Sequence, residues 1–115
     1  MAPTSDFWGA IAELVATSEV VVERPRGSRH PRHPAVVYPL DYGYLVGTRG
    51  GDGDAVDAFI GTAGDGRVRA LACTVDLLKR DVEVKLLLGC TDEEVAVAVE
   101  FLGAGMGVLL VAPRR

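Results

Sequence analysis

The chain has 115 residues, 49% of them hydrophobic and 24% charged, which is the size and composition of one globular domain with a core of its own. Its formal net charge of −4 argues against a general binder of nucleic acids or anionic membranes. No apolar run is long enough to cross a bilayer, and the acidic N-terminal segment is unlike a secretory signal. Cys73 and Cys90 lack metal or disulfide spacing and are expected to be reduced core thiols, so we predict a cytoplasmic protein.

The N-terminal segment has the apolar spacing of a helix. A helix is predicted over roughly residues 6–17, with Thr4 or Ser5 as its N-cap. One face of this helix would carry three apolar side chains, those of Trp8, Ile11 and Val15.

The middle of the chain is rich in short apolar segments separated by glycine turns. Residues 24–34 contain three prolines and a glycine, which excludes a helix and predicts a basic loop. A turn is predicted at residues 63–66. Strands are predicted where β-branched and other apolar residues cluster, at residues 19–23, 35–38, 56–60, 67–78 and 82–88.

The C-terminal segment predicts a helix followed by a strand. Thr91 and Glu94 have the spacing of a capping box, and the helix is expected to extend to about Leu102. The apolar residues 106–112 then predict a last strand. Several strands with two helices predict a mainly β domain of the α+β class, as a small barrel or strongly bent sheet with helices packed on it.

Three carboxylates lie within six residues of one another in a glycine-rich stretch, at Asp52, Asp54 and Asp57. Acids packed this closely repel one another unless a cation lies between them, which predicts a metal site. The alternative is a solvated acidic turn, because aspartate and glycine are ordinary turn residues.

A second charged stretch alternates with valines between Asp81 and Lys85. In a strand, Asp81, Glu83 and Lys85 would share one face. The two acids would complete the metal site and the lysine would neutralise an anion, unless this is only the solvated face of an antiparallel sheet. Oxygen ligands without histidine or cysteine favour Mg²⁺ or Mn²⁺ over zinc.

The basic loop and the tyrosines upstream of the aspartates are candidates for phosphate binding. Clustered guanidinium groups suit bidentate contacts to phosphate, although a solvated charge run is the alternative. Tyrosine hydroxyls can donate to phosphate oxygens, or the rings can pack in the core with one polar end in water. The residues concerned are Arg24, Arg26, Arg29, His30, Arg32, His33, Tyr38, Tyr42 and Tyr44.

The stretch from Tyr38 to Asp57 resembles the signature of the family I soluble inorganic pyrophosphatases. That signature is YPxNYGY, a short spacer, and then DGDPxD; this chain has YPLDYGY and DGDAVD at the same spacing. Val22–Pro25 resembles the glutamate–proline segment of an early strand in the family, and residues 76–85 resemble the strand pair that supplies two more acids and a lysine. The resemblance covers roughly residues 19–89.

The resemblance implies an OB-like five-stranded barrel with an N-terminal and a C-terminal helix. It also implies Mg²⁺-dependent hydrolysis of pyrophosphate to two phosphates, and the bacterial members of the family form homo-oligomers. Asp54 would be the base, Tyr42 and Lys85 would hold phosphate oxygens, and the metal ligands would be Asp52, Asp57, Asp81, Glu83 and, through water or the second shell, Glu23. Tyr38 and the cations Arg26, Arg29, His30 and Arg32 would contribute to substrate binding.

The chain departs from the family pattern mainly on the phosphate side. Asp41 and Ala55 replace the asparagine and proline of the signature, and the late tyrosine–lysine pair has no match in the apolar residues 106–112. The alternatives are therefore a non-hydrolytic metal- or phosphate-binding module, a partner subunit, or a hydrolase of another phosphoanhydride. An OB-type nucleic-acid binder is disfavoured because only 6% of the residues are aromatic.

Overall fold

The computed structural model describes residues 6–114, which form six strands and two helices. In chain order these are α1 (Phe7–Ala16), β1 (Val20–Arg24), β2 (Asp41–Leu45), β3 (Asp57–Ile60), β4 (Val68–Asp76), β5 (Asp81–Leu88), α2 (Asp92–Gly103) and β6 (Gly107–Val111). The predicted mainly β domain of the α+β class is confirmed. Neither helix is long and apolar enough to span a membrane, within the residues described.

The strands form one mixed sheet in the order β1-β2-β3-β5-β4-β6. The β3–β5 pair is parallel and the other pairs are antiparallel. Strands β1 and β6 are the edges, so the described residues give an open six-stranded sheet and do not show the closed five-stranded barrel that the resemblance implies.

Each face of the sheet carries its own apolar cluster, because side chains alternate between the two faces of a strand. One face bears Leu71 and Leu86, which pair across β4 and β5 and pack beneath α1. The opposite face bears Ala70 and Leu87, which share a cluster with Ala98 and Leu102 of α2. The helices therefore lie on opposite sides of the sheet.

Helix α1 begins one residue later than predicted and has a different cap. Asp6 is the N-cap, and its carboxylate accepts hydrogen bonds from the backbone N–H groups of Trp8 and Gly9 at 3.2 and 3.1 Å. The predicted caps Thr4 and Ser5 lie outside the described residues. The predicted apolar face is confirmed, since Trp8, Ile11 and Val15 pack on the cluster beneath this helix.

Helix α2 has the predicted capping box. The Thr91 hydroxyl accepts from the Glu94 N–H at 3.2 Å, and the Glu94 carboxylate accepts from the Thr91 N–H at 2.9 Å. The helix ends at Gly103, one residue beyond the predicted end.

In the middle of the chain one predicted strand is wrong and one observed strand was missed. Residues 35–38 form no strand beyond one isolated bridge between Arg29 and Val37, because the Val36 N–H closes a turn onto the His33 carbonyl at 2.8 Å. Conversely, residues 41–45 form strand β2, which was not predicted because aspartate and glycine have low strand propensity. Pairing with β1 on one side and β3 on the other makes this segment a strand.

Candidate functional site

An open cavity of about 1270 Å³ lies on the α2 side of the sheet. It brings together two stretches that are distant in sequence, the tyrosine–aspartate stretch and strand β5. The predicted site residues that line it are Glu23, Arg24, His30, Tyr38, Tyr42, Asp52, Asp54, Asp57, Asp81, Glu83 and Lys85.

The charged face of β5 is turned towards this cavity. Asp81, Glu83 and Lys85 line it, whereas Val82 and Val84 lie on the other face and are exposed. A strand with one face in water ordinarily buries its valines and solvates its charges. The reversed arrangement concentrates charge in the cavity and leaves an apolar surface outside.

Lys85 makes most of the polar contacts in the cavity, although it is only 6% exposed. Its Nζ lies 2.9 Å from the Tyr42 hydroxyl oxygen, 3.4 Å from Asp57 Oδ2 and 3.7 Å from Glu83 Oε2. Tyr42 in turn donates its O–H to Asp57 Oδ2 at 2.8 Å. A buried cation is stable only when opposite charges and acceptors surround it, as these groups do.

The environment of the cavity raises the pKa of two of its groups, the Tyr42 phenol and the Glu83 carboxyl. Burial, followed by the Asp57 carboxylate, raises the pKa of Tyr42, so its hydroxyl stays a donor at neutral pH. Burial also raises the pKa of Glu83; Lys85 opposes this, and the carboxyl groups of Asp52 and Asp81 add to it. A cation among these acids would relieve their mutual repulsion.

Asp52 and Asp54 lie in the exposed loop between β2 and β3, at the rim of the cavity. The loop is closed by hydrogen bonds from the Gly50 N–H to the Asp54 carbonyl at 2.7 Å and from the Asp54 N–H to Asp52 Oδ1 at 3.0 Å. Gly53 has a φ of +91°, which glycine adopts without strain.

The carboxylates do not form a finished metal cage. Among residues 6–114, no three histidine, cysteine or acidic side chains are close enough together to hold a metal ion. One feature nevertheless fits a divalent cation: Asp81 Oδ1 is buried and has no hydrogen-bond partner among the described residues. Such an oxygen is costly unless a cation or water satisfies it. The donor set, all carboxylate oxygens, is the chemistry of a Mg²⁺ site.

Most of the arginines predicted from the basic loop lie away from the acids. Arg26, Arg29 and Arg32 are exposed and do not line the cavity. Arg29 donates to the Pro34 carbonyl within the loop at 2.7 Å. The cations that do line the cavity, apart from Lys85, are Arg24 and Lys79.

Arg24 is held in place by Tyr38. Its Nη1 donates to the Tyr38 hydroxyl at 2.8 Å, and its guanidinium carbon lies 5.5 Å from the centroid of the same ring. Its register partner across β1 and β2 is Tyr42, and only this strand pairing, which sequence spacing does not reveal, places Arg24 at the site.

His30 also reaches the cavity, so it and Arg24 are the two members of the predicted basic set that line it. Its ring stacks on Tyr38 with centroids 6.4 Å apart. Partial burial, followed by the neighbouring positive charge of Arg24, lowers its pKa and favours a neutral ring.

The wall of the cavity formed by α2 and the residues after it is mainly apolar and was not predicted. Val97, Phe101 and Met106 line it, together with one charged side chain of α2, Glu100. Tyr38 connects this wall to the acids, since its ring centroid lies 5.3 Å from that of Phe101 and 5.4 Å from that of Tyr42.

Comparison of the chain with protein-family models, with curated proteins and with solved structures gave no match.

Proposed function

We propose that this chain is a small Mg²⁺-dependent hydrolase of inorganic pyrophosphate that acts in the cytoplasm, with Mn²⁺ as the alternative metal. The observation that carries the proposal is the contact between the two predicted halves of the site. Tyr42 and Asp57, from the tyrosine–aspartate stretch, meet Lys85 of β5 in one cavity.

The resemblance to family I pyrophosphatases, with its OB-like five-stranded barrel, is part of this proposal. The residues in contact lie on β2, β3 and β5, which are neighbours in the sheet whether or not it closes.

The carboxylates of Asp52, Asp57, Asp81 and Glu83 would hold the metal, with Glu23 on its outer side. A bound divalent cation supplies charge neutralisation and lowers the pKa of water. Coordination would satisfy the orphaned Asp81 oxygen and relieve the repulsion among the acids. Asp52 and Asp54 are exposed and line the same cavity as the acids of β5.

The remaining side chains would bind pyrophosphate and accept the proton of the attacking water. Lys85 and Tyr42 donate to phosphate oxygens, and Arg24 and Lys79 neutralise the charge of the second phosphate. Asp54 accepts the proton as the water oxygen bonds to phosphorus and the bond from that phosphorus to the bridging oxygen breaks. The proton then passes to the leaving phosphate.

The direct test is phosphate release from pyrophosphate in the presence of Mg²⁺. Wild type should be active, Asp54→Asn should lose on the order of 100-fold or more, and the control Asp65→Asn, in another glycine-rich turn, should keep its activity. If the wild type releases no phosphate that depends on Mg²⁺, the proposed hydrolase activity is wrong. Calorimetry with Mg²⁺ and methylenediphosphonate then distinguishes a non-hydrolytic binding module, which takes up both, from a protein that binds neither.

A second candidate, hydrolysis of a diphosphate that carries an apolar substituent, is favoured by the apolar wall beside α2. Pyrophosphate itself has no group to place against Val97, Phe101 and Met106. If this candidate holds, kcat/KM for phenyl diphosphate exceeds that for pyrophosphate, and Val97→Asp reverses the preference. A wild type that prefers pyrophosphate excludes this candidate and leaves the first in place.

A further inference from the structure

One face of the sheet is only half covered. On the α1 side, the helix packs over the end of β4 and β5 that carries Leu71 and Leu86. The same face continues beyond the helix through the cross-strand pairs Val75–Val82 and Cys73–Val84, which lie outside that cluster. Residues directly opposite in an antiparallel pair point to the same side, so this is one continuous apolar surface that leaves the cover of α1.

The uncovered part is made of aliphatic side chains. Val82 is 72% exposed, Leu109 is 63% exposed, and at the β4–β5 turn Leu78 is 97% exposed. We call this surface the apolar face and define it by Val75, Leu77, Leu78, Val82, Val84, Leu109 and Val111. Isolated exposed apolar residues are ordinary, but seven grouped on adjoining strands and their turn mark an interaction site.

We propose that the apolar face is a dimer interface, packed against the same face of a second copy of this chain. All seven residues are uncharged, so the partner surface must be apolar as well. The apolar face itself meets that requirement, and a two-fold interface needs a self-complementary patch. Two sheets packed face to face with interdigitating aliphatic side chains are a standard arrangement.

The exposed area of the apolar face is comparable to that of one side of a protein–protein interface. Seven aliphatic side chains with the recorded exposures present on the order of several hundred Å², close to the ~800 Å² that each partner contributes to a standard interface. The cavity with the acids lies on the opposite side of the sheet, so dimerisation would leave it open. The proposal therefore does not depend on the function of that cavity.

The two edges of the sheet differ in how they are protected against pairing with another chain, so pairing through the β6 edge is the alternative that the experiment must exclude. Edge strand β1 carries Glu23 and Arg24, is followed by Pro25, and has a register irregularity between Val22 and Arg24. These are features that keep an edge from pairing with other chains. Strand β6, whose sequence is GVLLV, has no charge or proline.

The experiment is sedimentation of the full chain over a range of concentrations, comparing wild type with Val82→Lys, Leu109→Lys and the control Val46→Lys. Val46 is also an exposed valine but lies just after β2, away from the apolar face. Wild type and the control should be dimers. Both variants on the apolar face should raise the dimer dissociation constant ~100-fold or more, because each buries two unpaired lysines per dimer. Circular dichroism and thermal melting establish that the variants are folded.

Two other results overturn the proposal. A wild type that is monomeric throughout shows that the face is not an interface between copies. Dissociation by Leu109→Lys alone shows pairing through the β6 edge, because Val82 lies on the internal strand β5. Thiol labelling supplies an independent readout: Cys73, whose register partners are Val84 and Leu109, should react more slowly in the wild-type dimer than in Val82→Lys.

Discussion

Lys85 and Asp57 are register partners across the parallel strands β3 and β5, and their charged ends meet at 3.4 Å in the wall of the cavity. The pairing places a nearly buried ammonium group among a carboxylate, a phenol and a second carboxylate. The same cation thus holds the sheet together at this point and supplies the positive charge of the candidate site.

Replacing Lys85 by methionine keeps the length of the side chain but removes the cation. Asp57 and Glu83 then face each other without a counter-charge, and the free energy of unfolding should fall by about 2 kcal/mol. The value is below that of a fully buried pair because the side chains of both acids are partly exposed and water compensates in part. Urea denaturation measures it, and Lys79→Met, at an exposed lysine, should change stability by less than about 0.5 kcal/mol. Equal effects would contradict the assigned role of Lys85.

Tyr42→Phe removes one hydroxyl that bridges Asp57 and Lys85. The loss of two hydrogen bonds to charged partners should lower the free energy of unfolding by about 1–2 kcal/mol. Tyr44→Phe, two residues further along β2, is the matched control, with an expected change below about 0.5 kcal/mol. If the two phenylalanine variants unfold at the same urea concentration, the Tyr42 hydroxyl has no structural role.

The parts of the fold with local signals were predictable from the sequence. The capping box of α2 needs only two residues at a fixed spacing, Thr91 and Glu94. The hydrophobic periodicity of α1 and the alternation of β5 are likewise visible within single segments. Strand β2 has no such signal, because Asp41, Tyr42 and Gly43 become a strand only through pairing on both sides.

The candidate site divides in the same way. The aspartates and the charged face of β5 were predictable from motif and alternation. Lys79 was not predicted, and Arg24 was predicted in a loop although it ends strand β1, because their positions depend on how strands and turns pack in three dimensions. The arginines at 26, 29 and 32 were predicted from charge density alone, which does not show whether a side chain faces the cavity or the solvent.

Glu94 joins helix α2 to the turn after β3. Its carboxylate accepts from the Thr91 and Thr62 N–H groups at 2.9 and 3.0 Å and from the Thr62 hydroxyl at 2.9 Å. Burial alone would raise the pKa of Glu94, but these hydrogen bonds outweigh it and lower the pKa. Because the pKa is lowered on folding, this stabilisation is present above the ordinary value of 4.5 and is lost as the pH falls through the lowered value.

Glu94→Ala should therefore lower the free energy of unfolding at pH 7 by about 1–2 kcal/mol, with a smaller difference from wild type at pH 3. Thermal melting at the two pH values measures this. Glu93→Gln, on the exposed side of the same first turn, controls for the interaction with the helix dipole and should cost about 0.5 kcal/mol or less. A loss for Glu94→Ala that is the same at both pH values would refute the role of the carboxylate.

Cys90 gives a prediction at the alkaline end. Burial, followed by the negative charge of Glu94, raises the pKa of this thiol from 9.0 to about 11. The unfolded chain therefore releases the proton first, so the contribution to stability is complete below pH 9 and is lost as the pH rises towards 11. Relative to Cys90→Ala, wild type should lose about 1–2 kcal/mol between pH 8 and pH 11, measured by urea denaturation. Parallel pH dependences of the two proteins would exclude this assignment.

Gly43 is required where β1 crosses closest to β2. A Cβ atom at this position would overlap the carbonyl oxygen of Val21, which is backbone and cannot rotate away. Gly43→Ala should therefore displace β1 and lower the free energy of unfolding by about 2–4 kcal/mol. Since β1 carries Arg24, the displacement should also separate its guanidinium from Tyr38.

Hydrogen exchange measures this displacement: the amides of β1 should exchange faster while β4 and β5 keep their protection. The control Gly51→Ala, with nothing within 4 Å of the added Cβ, should remain within about 0.5 kcal/mol of wild type. Wild-type protection of β1 in Gly43→Ala would show that the strand pair tolerates a side chain there.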